Sequence, residues 1–338
     1  MYPLFRLSFV MQKLLNLVLI STFFVSVSAM AQPTELVEIK KVKIPEELFL
    51  SSFLELDIQD KRILISDNSL NQVLLFTGKQ WKVLDPEECH PGFWFKPIQA
   101  KFGGNDEIFI TNSGIWGFRF KKNGDCVGAV EKGVKFFTPE DFYYGTDIIG
   151  INKDFTQTNI NAWGKNGQEI ETVFSVLNKF PNAEYRFKGA IFEDKSSIYF
   201  IKALEPIIYT FNRETKQLVN NEFDFKFFKP IKSDISSDVN NPGFFKEVGK
   251  IIKNNSVIYG LYQLNSNSGI VLFNQHVDKK SMTFGLVFSL DDLSIKETLV
   301  FESLPDFISN NEFVFIEREN DGYEDEVVEI VFKRVKRN

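Results

Sequence analysis

The sequence is poor in the residue types that most catalytic and metal sites use. The 338-residue chain has two cysteines, Cys89 and Cys126, and two histidines, His90 and His276. Two cysteines cannot form the framework of a disulfide-rich secreted domain, so the fold must rest on hydrophobic burial. The chain has no G-x-S-x-G sequence, and adjacent side chains such as those of Cys89 and His90 diverge on an extended backbone. Nothing therefore indicates nucleophilic catalysis.

Clusters of basic residues and long apolar runs are also lacking. The net charge is −6 at pH 7, and an acidic chain without basic clusters argues against nucleic acid and anionic lipid as partners. After residue 31 no apolar run approaches the roughly 20 residues that a membrane-spanning helix needs. Few windows show the apolar spacing of an amphipathic helix. These absences leave a mainly β protein with no membrane span in its mature part.

The first 31 residues have the features of a secretory signal peptide. Arg6 and Lys13 supply positive charge, the run from Leu14 to Val27 is apolar, and Ala29-Met30-Ala31 forms an A-x-A site. The apolar run is too short for the alternative, a transmembrane anchor. We predict cleavage before Gln32, a secreted or periplasmic location, and one domain over residues 32–338.

Short β-strand patterns rich in aromatic residues make up most of the chain. The sequence has 37 phenylalanines, and runs such as RILISD, EIFITN and SIYFIK are typical of strands. A second strand that ends in an aromatic residue and a tight turn follows several of them. These aromatic residues recur at intervals of about 45 residues, typical of β-propeller repeats. They are Phe76, Phe120, Trp163 and Phe211.

This period predicts an all-β fold, a six-bladed β-propeller of four-stranded antiparallel blades, because the mature length holds about six units. Stacked blades would bury the aromatic residues, Phe120 among them, between neighbouring sheets. The early strand ELVEIKKVKI is expected to pair with the last blade and close the ring. Residues 224–245 are interpreted as a long connection, and residues 265–280 as an insertion in the fifth unit. The alternative architecture is a pair of β-sandwiches.

One stretch, from Gly92 to Gly124, resembles a repeat of the NHL type of six-bladed propeller. It has a Gly-Phe and a later Pro, a strand that contains Ile108-Phe109-Ile110, and then Phe120 before an Asn-Gly turn. The whole chain is also similar to secreted six-bladed propellers of Bacteroidota, most of which have no known activity. The resemblance implies a fold and no chemistry, because the matching positions are turns and core.

The face that carries the blade-to-blade connectors is the usual ligand face of propellers, as the resemblance implies. The stretch CHPGFWF, Cys89 to Phe95, connects the outer strand of the first blade to the inner strand of the second. The loop between the second and third strands of the second blade emerges on the same face. We therefore predict a ligand site formed by His90, Trp94, Asn112 and Trp116. The alternative is that Pro91-Gly92 forms a turn and the aromatic residues fill the core.

Two further hypotheses are a calcium site in the central channel and a disulfide bond. Propeller lactonases bind calcium in the central channel through carboxylates and asparagines, which by resemblance makes Asp67, Asn68, Asn112 and Asp147 the candidate ligands. An oxidising compartment favours a disulfide between Cys89 and Cys126. Cys126 follows the hairpin between the third and fourth strands, on the face opposite the connector with Cys89. This expected separation argues against the bond, and both alternatives stay open.

These observations predict a secreted binding module with a peptide, protein or glycan ligand on the channel face. The scaffold is clear, and the sequence contains no recognisable catalytic set. The alternative is a calcium-dependent hydrolase of the lactonase or esterase type, which requires carboxylates and amides from several blades to converge on the axis. A structural component of the cell envelope is a third hypothesis.

Overall fold

In the residues that the computed structural model describes, twenty-four strands form six four-stranded antiparallel sheets. The structure describes residues 33–51, 54–88, 90–92, 95–103, 107–112, 116–131, 142–144, 148–153, 156–163, 169–187, 189–194, 196–223, 228–235, 243–277, 280–320 and 326–336. Residues 35–338 make up one compact unit. The predicted signal peptide, residues 1–31, lies outside the described residues, so its cleavage site stays a prediction.

Each sheet is built from strands that follow one another in the chain, except that the last sheet takes its outer strand from the N-terminal region. The first sheet contains β2 (Leu54–Gln59), β3 (Arg62–Asp67), β4 (Gln72–Phe76) and β5 (Trp81–Val83); the second contains β6 (Pro97–Phe102), β7 (Glu107–Asn112), β8 (Trp116–Lys121) and β9 (Cys126–Glu131); the third contains β10 (Phe142–Tyr144), β11 (Ile148–Lys153), β12 (Gln157–Trp163) and β13 (Glu169–Leu177). The fourth contains β14 (Ala190–Glu193), β15 (Ser197–Ile201), β16 (Ile207–Asn212) and β17 (Leu218–Glu222); the fifth contains β18 (Val257–Asn265), β19 (Ser268–Val277), β20 (Lys280–Ser289) and β21 (Ile295–Phe301); the sixth contains β22 (Phe307–Ser309), β23 (Glu312–Asn320), β24 (Glu326–Val335) and β1 (Leu36–Lys43).

The architecture is an all-β propeller of four-stranded antiparallel blades. The sequence repeat that predicted it is visible in the strand register. In each of the first four sheets the strand-ending aromatic residue pairs with an isoleucine of the preceding strand. The pairs are Ile63–Phe76, Ile108–Phe120, Ile148–Trp163 and Ile198–Phe211.

The second strand of a sheet is buried on both faces because neighbouring sheets cover it. Every residue of β15 is buried, and β3 and β7 are buried from their second residue onward. This explains why these segments are nearly continuous apolar runs rather than alternating ones. Phe120 is 0% exposed and packs with Leu64, Leu75 and Leu84 of the first sheet, so its predicted position between sheets is confirmed.

The N-terminal strand β1 pairs with β24 in an antiparallel register from Leu36–Val335 to Lys43–Glu329. The predicted pairing of the early strand with the last sheet is therefore confirmed. Side-chain contacts reinforce it, since Lys41 Nζ lies 2.9 Å from Glu329 Oε2. The outer strand of the sixth sheet thus comes from the opposite end of the chain.

Two α-helices lie among the described residues, α1 (Pro181–Arg186) and α2 (Phe244–Asn254). Both occur in connections between sheets, and α2 begins inside the predicted long connection. Together with buried residues such as Ala203, Leu204 and Val257 they form an apolar cluster. No helix in the described part of the chain is long and apolar enough to cross a membrane.

The predicted insertion at residues 265–280 is wrong. These residues form the turn after β18 and the whole of β19, which pairs along its length with β20. The strands of this sheet are longer than those of the first four sheets. The extra length was therefore mistaken for inserted sequence.

Candidate functional site

A cavity of about 700 Å³ lies between the sheets, and the first strands of five sheets supply most of its wall. Such a position makes it the central channel of the propeller. Its lining residues are Leu54–Gln59 of β2, Gln99, Lys101 and Phe102 of β6, Ile151 of β11, Gly189–Glu193 at β14, Tyr259–Gln263, Asn265 and Ser266 at β18, and Asp306–Asn310 at β22. The wall therefore combines carboxylates, amides, hydroxyls and aromatic rings.

Asp57 and Lys101 form the contact between β2 and β6 inside the channel. One Asp57 carboxylate oxygen accepts the backbone N–H of Phe102 at 2.7 Å, and the other lies 3.9 Å from Lys101 Nζ. Burial raises the pKa of Asp57, whereas the Lys101 charge and the N–H donors lower it. Asp57 is thus held between neighbouring sheets in a poorly solvated position.

A second polar and aromatic region lies where β2, β18 and β22 face the channel. The rings of Tyr262 and Phe307 meet edge to face, with centroids 6.1 Å apart. The Asp306 carboxylate accepts the backbone N–H of Ile316 at 2.7 Å. Burial first, and then the charges of Asp306 and Glu55, raise the pKa of Tyr262 to about 12. Tyr262 therefore stays a neutral hydrogen-bond donor at physiological pH.

At β14, the negative charge of the lining residue Glu193 is paired with Arg213, which is not itself a lining residue. The Arg213 guanidinium donates a hydrogen bond to the Glu193 carboxylate, and Phe192 stacks on Tyr199 with ring centroids 4.6 Å apart. Charge-assisted pairs between a guanidinium and a carboxylate hold both groups in a fixed geometry. Glu193 is consequently less available to a ligand than its place in the channel suggests.

Of the predicted ligand set, the described residues His90 and Asn112 are not among the residues that line this channel. His90 lies at the outer strand of the second sheet, where its Nε2 accepts the backbone N–H of Ala129 at 2.8 Å and its ring is 6.3 Å from that of Phe118. Trp94 lies outside the described residues, and Trp116 opens β8 opposite Glu131, with its side chain also outside the described set. The structure thus places His90 away from the channel wall, and the four-residue site stays a prediction.

Asn112 and Asp67 have equivalent roles in holding connectors to the sheets. Asn112 is 3% exposed, and its Oδ1 accepts the backbone N–H of Lys96 at 2.5 Å. Asp67 is 0% exposed, and its carboxylate accepts the N–H and the hydroxyl of Ser51 at 2.6 and 2.7 Å. Each side chain ends the second strand of its sheet and binds the segment that leads into the first strand.

These contacts compete with the predicted calcium ligation. Asp67 Oδ1 also accepts the N–H groups of Ser69 and Leu70, both at 3.0 Å. Asn68 lies in the same turn, partly exposed, and Asp147 lies outside the described residues. Within the described part of the chain, no three His, Cys, Asp or Glu side chains are grouped as metal ligands. The calcium site therefore stays a prediction without structural support.

The described residues do not show the expected separation between the Cys126 region and the connector. The turn before Cys126 lies against the first sheet: Lys82 Nζ donates to the Asn123 carbonyl at 2.8 Å, and a Cβ added to Gly124, at φ +90°, would lie 3.1 Å from Leu84. This turn therefore lies beside the segment that leads into the connector. Cys126 is disulfide-bonded. Its predicted partner, Cys89, lies outside the described residues, so the pairing of Cys89 with Cys126 stays a prediction.

The residues that line the channel were not predicted from the sequence. Their polar members lie at alternate positions of the short first strands, as in Glu55, Asp57 and Gln59, and in Gln99 and Lys101. Polar residues at alternate positions next to a fully apolar strand were the available signal. That pattern is also typical of a solvated sheet edge, so only the closed arrangement of sheets distinguishes the two.

Comparison with known proteins shows the fold alone. The chain is similar to BF0058 of Bacteroides fragilis NCTC 9343, a protein inferred to be exported, with a TM-score of 0.57 and 11% identity over 91% of this chain and 97% of that chain. Weaker similarities are to the WD40 β-propeller domain of Doa1 (TM-score 0.43, 11% identity, 84% of this chain and 79% of that chain covered) and to BamB from Moraxella catarrhalis (TM-score 0.39, 8% identity, 89% of this chain and 100% of that chain covered).

No protein-family model and no curated protein sequence matches the chain. The resemblance to the NHL repeat therefore has no support from a family model. What these comparisons and the strand topology establish together is a β-propeller similar in fold to BF0058.

Proposed function

We propose that this protein is a secreted or periplasmic binding module, and that its central channel holds a segment of a peptide, protein or glycan ligand. The observation that carries the proposal is the cavity of about 700 Å³, whose wall mixes apolar surface with carboxylates, amides and hydroxyls. Ligand sites are typically concave, largely preformed and lined by apolar residues with a few polar groups that orient the ligand. The channel fits this description without any rearrangement.

The proposal includes a complete ring of six blades. Six four-stranded sheets are formed, β22 of the sixth sheet contacts β2 of the first, and β1 completes the last sheet by pairing with β24. A ring closed in this way holds its first strands at fixed distances from one another. Because such a wall is already rigid, the protein loses little conformational entropy when a ligand binds.

Export is the second part of the proposal. The charged start, the apolar run and the Ala29-Met30-Ala31 site support it, as does the similarity in fold to a protein inferred to be exported. N-terminal sequencing of the protein recovered from the periplasm or the medium tests this part. A first residue of Gln32 is expected, and a chain that keeps residues 1–31 would contradict it.

The binding role is tested by blocking the channel. Ala190 lies on the channel wall, and Ala190→Trp would fill part of the cavity; Lys79→Trp, in an exposed turn, adds the same ring outside it. Both variants and the original protein would be screened on glycan and peptide arrays and used to capture envelope components. We expect ligands that Lys79→Trp retains and Ala190→Trp loses. Equal capture by both variants would contradict a ligand site in the channel.

A calcium-dependent hydrolase of the lactonase or esterase type has no observation in its favour in the described part of the chain. The channel carboxylates of Asp57, Glu193 and Asp306 are engaged with backbone N–H groups, Lys101 or Arg213. We therefore keep the binding module as the proposed function.

A further inference from the structure

We propose that this protein docks peripherally onto an anionic lipid bilayer through a surface formed by its two helices and residues 228–235. This surface is called the lysine surface below, and six exposed lysines define it: Lys179, Lys229, Lys232, Lys246, Lys250 and Lys253. The channel lining includes none of these residues. The inference therefore goes beyond the binding role of the channel and does not depend on it.

Helix α2 separates apolar and basic residues onto opposite faces. Three apolar residues at positions i, i+4 and i+7 pack into the cluster shared with α1: Phe244, Val248 and Ile251. Three exposed lysines repeat this spacing two positions later: Lys246, Lys250 and Lys253. At 3.6 residues per turn, a shift of two positions is a rotation of about 200°. The helix is therefore held on the propeller by one face and presents a row of positive charges on the other.

The segment 228–235 is fixed beside the end of α2. The Lys229 carbonyl accepts the backbone N–H of Ser256 at 2.9 Å, and the Ser256 hydroxyl accepts the N–H of Lys229 at 2.9 Å. Asn255 Nδ2 also donates to the Pro230 carbonyl at 3.0 Å. Two more exposed lysines, Lys229 and Lys232, therefore lie on a segment that is bonded to the end of this helix.

The same segment holds the beginning of α1. The Asp234 carboxylate accepts the backbone N–H groups of Asn182 at 3.1 Å and Ala183 at 2.8 Å. Lys179 lies just before this helix, exposed, with its Nζ 5.5 Å from the centroid of the Phe180 ring. Three separate segments thus supply the lysines, and only folding brings them together. The acidic net charge of the chain, which argues against an anionic lipid partner, does not describe this surface.

Few acidic side chains compensate these positive charges. Within the described part of the chain, none of the six lysines forms an ion pair. The acidic residues of the three segments are Glu184, Asp234 and Glu247. Glu184 is buried and bonded to Lys202, and Asp234 accepts the N–H groups of α1. Because a lysine close to an anionic leaflet strengthens binding about fivefold, several lysines together give substantial affinity.

Two exposed apolar side chains favour a bilayer over an acidic polymer in water. Ile252, 39% exposed, lies on α2 between two of the lysines, and Leu177, 78% exposed, precedes α1. The Leu177 carbonyl is tied to α1, because Lys202 Nζ donates to it at 2.7 Å and to Glu184 at 2.9 Å. At a bilayer interface such apolar groups enter the boundary between headgroups and acyl chains, while the ammonium groups stay at the phosphates.

The test measures binding of the mature protein to lipid vesicles by co-sedimentation. One set of vesicles contains equal parts of phosphatidylcholine and phosphatidylglycerol, and the other contains phosphatidylcholine alone. We expect binding to the anionic vesicles to be at least about tenfold tighter. Binding should weaken as the salt concentration rises, because salt screens the charges of exposed lysines.

Two triple variants with the same change in net charge test the surface itself. The first removes the row of charges on α2: Lys246→Gln, Lys250→Gln and Lys253→Gln. The second removes three exposed lysines at turns of the first two sheets: Lys61→Gln, Lys79→Gln and Lys121→Gln. We expect the first variant to bind anionic vesicles at least about tenfold more weakly, and the second to bind like the original protein.

A double variant, Leu177→Ser with Ile252→Ser, tests the apolar contribution without a change in charge and should also weaken vesicle binding. Equal affinity for the two kinds of vesicle, or equal loss in the two triple variants, would overturn the inference. Binding to soluble polyglutamate as tight as that to vesicles, with no effect of the double variant, would assign the surface to an acidic polymer and overturn the lipid partner. The vesicle comparison and the salt series use the original protein, so they decide the question even if a variant does not fold.

Discussion

A buried lysine beneath α1 gives the sharpest test of the structure. Lys202 Nζ donates to the Leu177 carbonyl at 2.7 Å and lies 2.9 Å from Glu184 Oε2 and 3.1 Å from Glu205 Oε2. The three charged side chains are 4%, 3% and 9% exposed. Two carboxylates thus share a single positive charge in a site that water scarcely reaches.

Lys202→Met keeps most of the side-chain volume and removes this charge. The change leaves Glu184 and Glu205 close together without a cation, and breaking a buried ion pair from one side costs about 3–5 kcal/mol. Burial already raises the pKa of Glu205, against the opposing effect of Lys202. We therefore expect Glu205 to take up a proton in the variant, so that the cost is smaller at pH 5 than at pH 8.

The assay is equilibrium urea unfolding followed by far-UV circular dichroism. A change in the urea midpoint reports a change in stability when the dependence of the unfolding free energy on urea concentration is unchanged. Lys232→Met, at an exposed position, is the matched control and should have little effect. Adding Glu205→Gln to Lys202→Met should recover part of the loss, because one carboxylate then remains. A loss below about 1 kcal/mol at pH 8, or one that grows as the pH falls, would refute the reasoning.

Three other predictions concern the sheets, the channel and the thiols. Phe120→Asp places a charge at a fully buried position between the first two sheets and should abolish the folded state, whereas Lys121→Asp, exposed, should not; a soluble Phe120→Asp protein with native near-UV circular dichroism would count against this packing. Burial raises the pKa of Asp57 above its ordinary value of 3.8, so the contribution of Asp57 to stability should fall as the pH rises from that ordinary value through the raised one. Asp57→Asn should therefore gain stability relative to the original protein as the pH rises in a series of urea titrations, and the opposite slope would argue against a desolvated carboxylate. Thiol titration of the unfolded, unreduced protein should find neither Cys89 nor Cys126 reactive, and two free thiols would exclude their bond.

The blade repeat was predictable because it depends on residues that are close in sequence. The spacing from Ile108 to Phe120 is set by one hairpin, and the two residues pair directly in the structure. The alternation and turn residues of one such hairpin are enough to recognise it. The pairing of β1 with β24 was also predictable, since the last sheet needed an outer strand.

The channel wall was not predictable because its residues meet only after the ring closes. Glu55 and Tyr262 lie in the first and fifth sheets, and no local pattern relates them. The sequence instead drew attention to His90 and Asn112, which are rare or polar residues in connectors. The structure uses both as hydrogen-bond acceptors for backbone N–H groups, and this requirement is typical of any buried connector.

The expected separation of Cys126 from the connector was not found, and the reason is different. The expected separation from the connector treated each blade as a flat sheet whose hairpins lie on opposite faces. Twisted sheets rotate their outer strands relative to their inner ones. Gly124, in a turn of the second sheet, lies against Leu84, which directly follows the outer strand of the first sheet.

The pairing of β1 with β24 has a consequence for synthesis. Lys41 and Glu329, which join the two strands, are 288 residues apart. At about 5–20 residues per second, β1 would emerge from the ribosome roughly 15 to 60 s before its partner. During that interval both the waiting strand and the unfinished ring expose unpaired backbone, which a second molecule could complete by exchanging its own β1. A chaperone that shields the early strand would therefore favour monomers over swapped dimers.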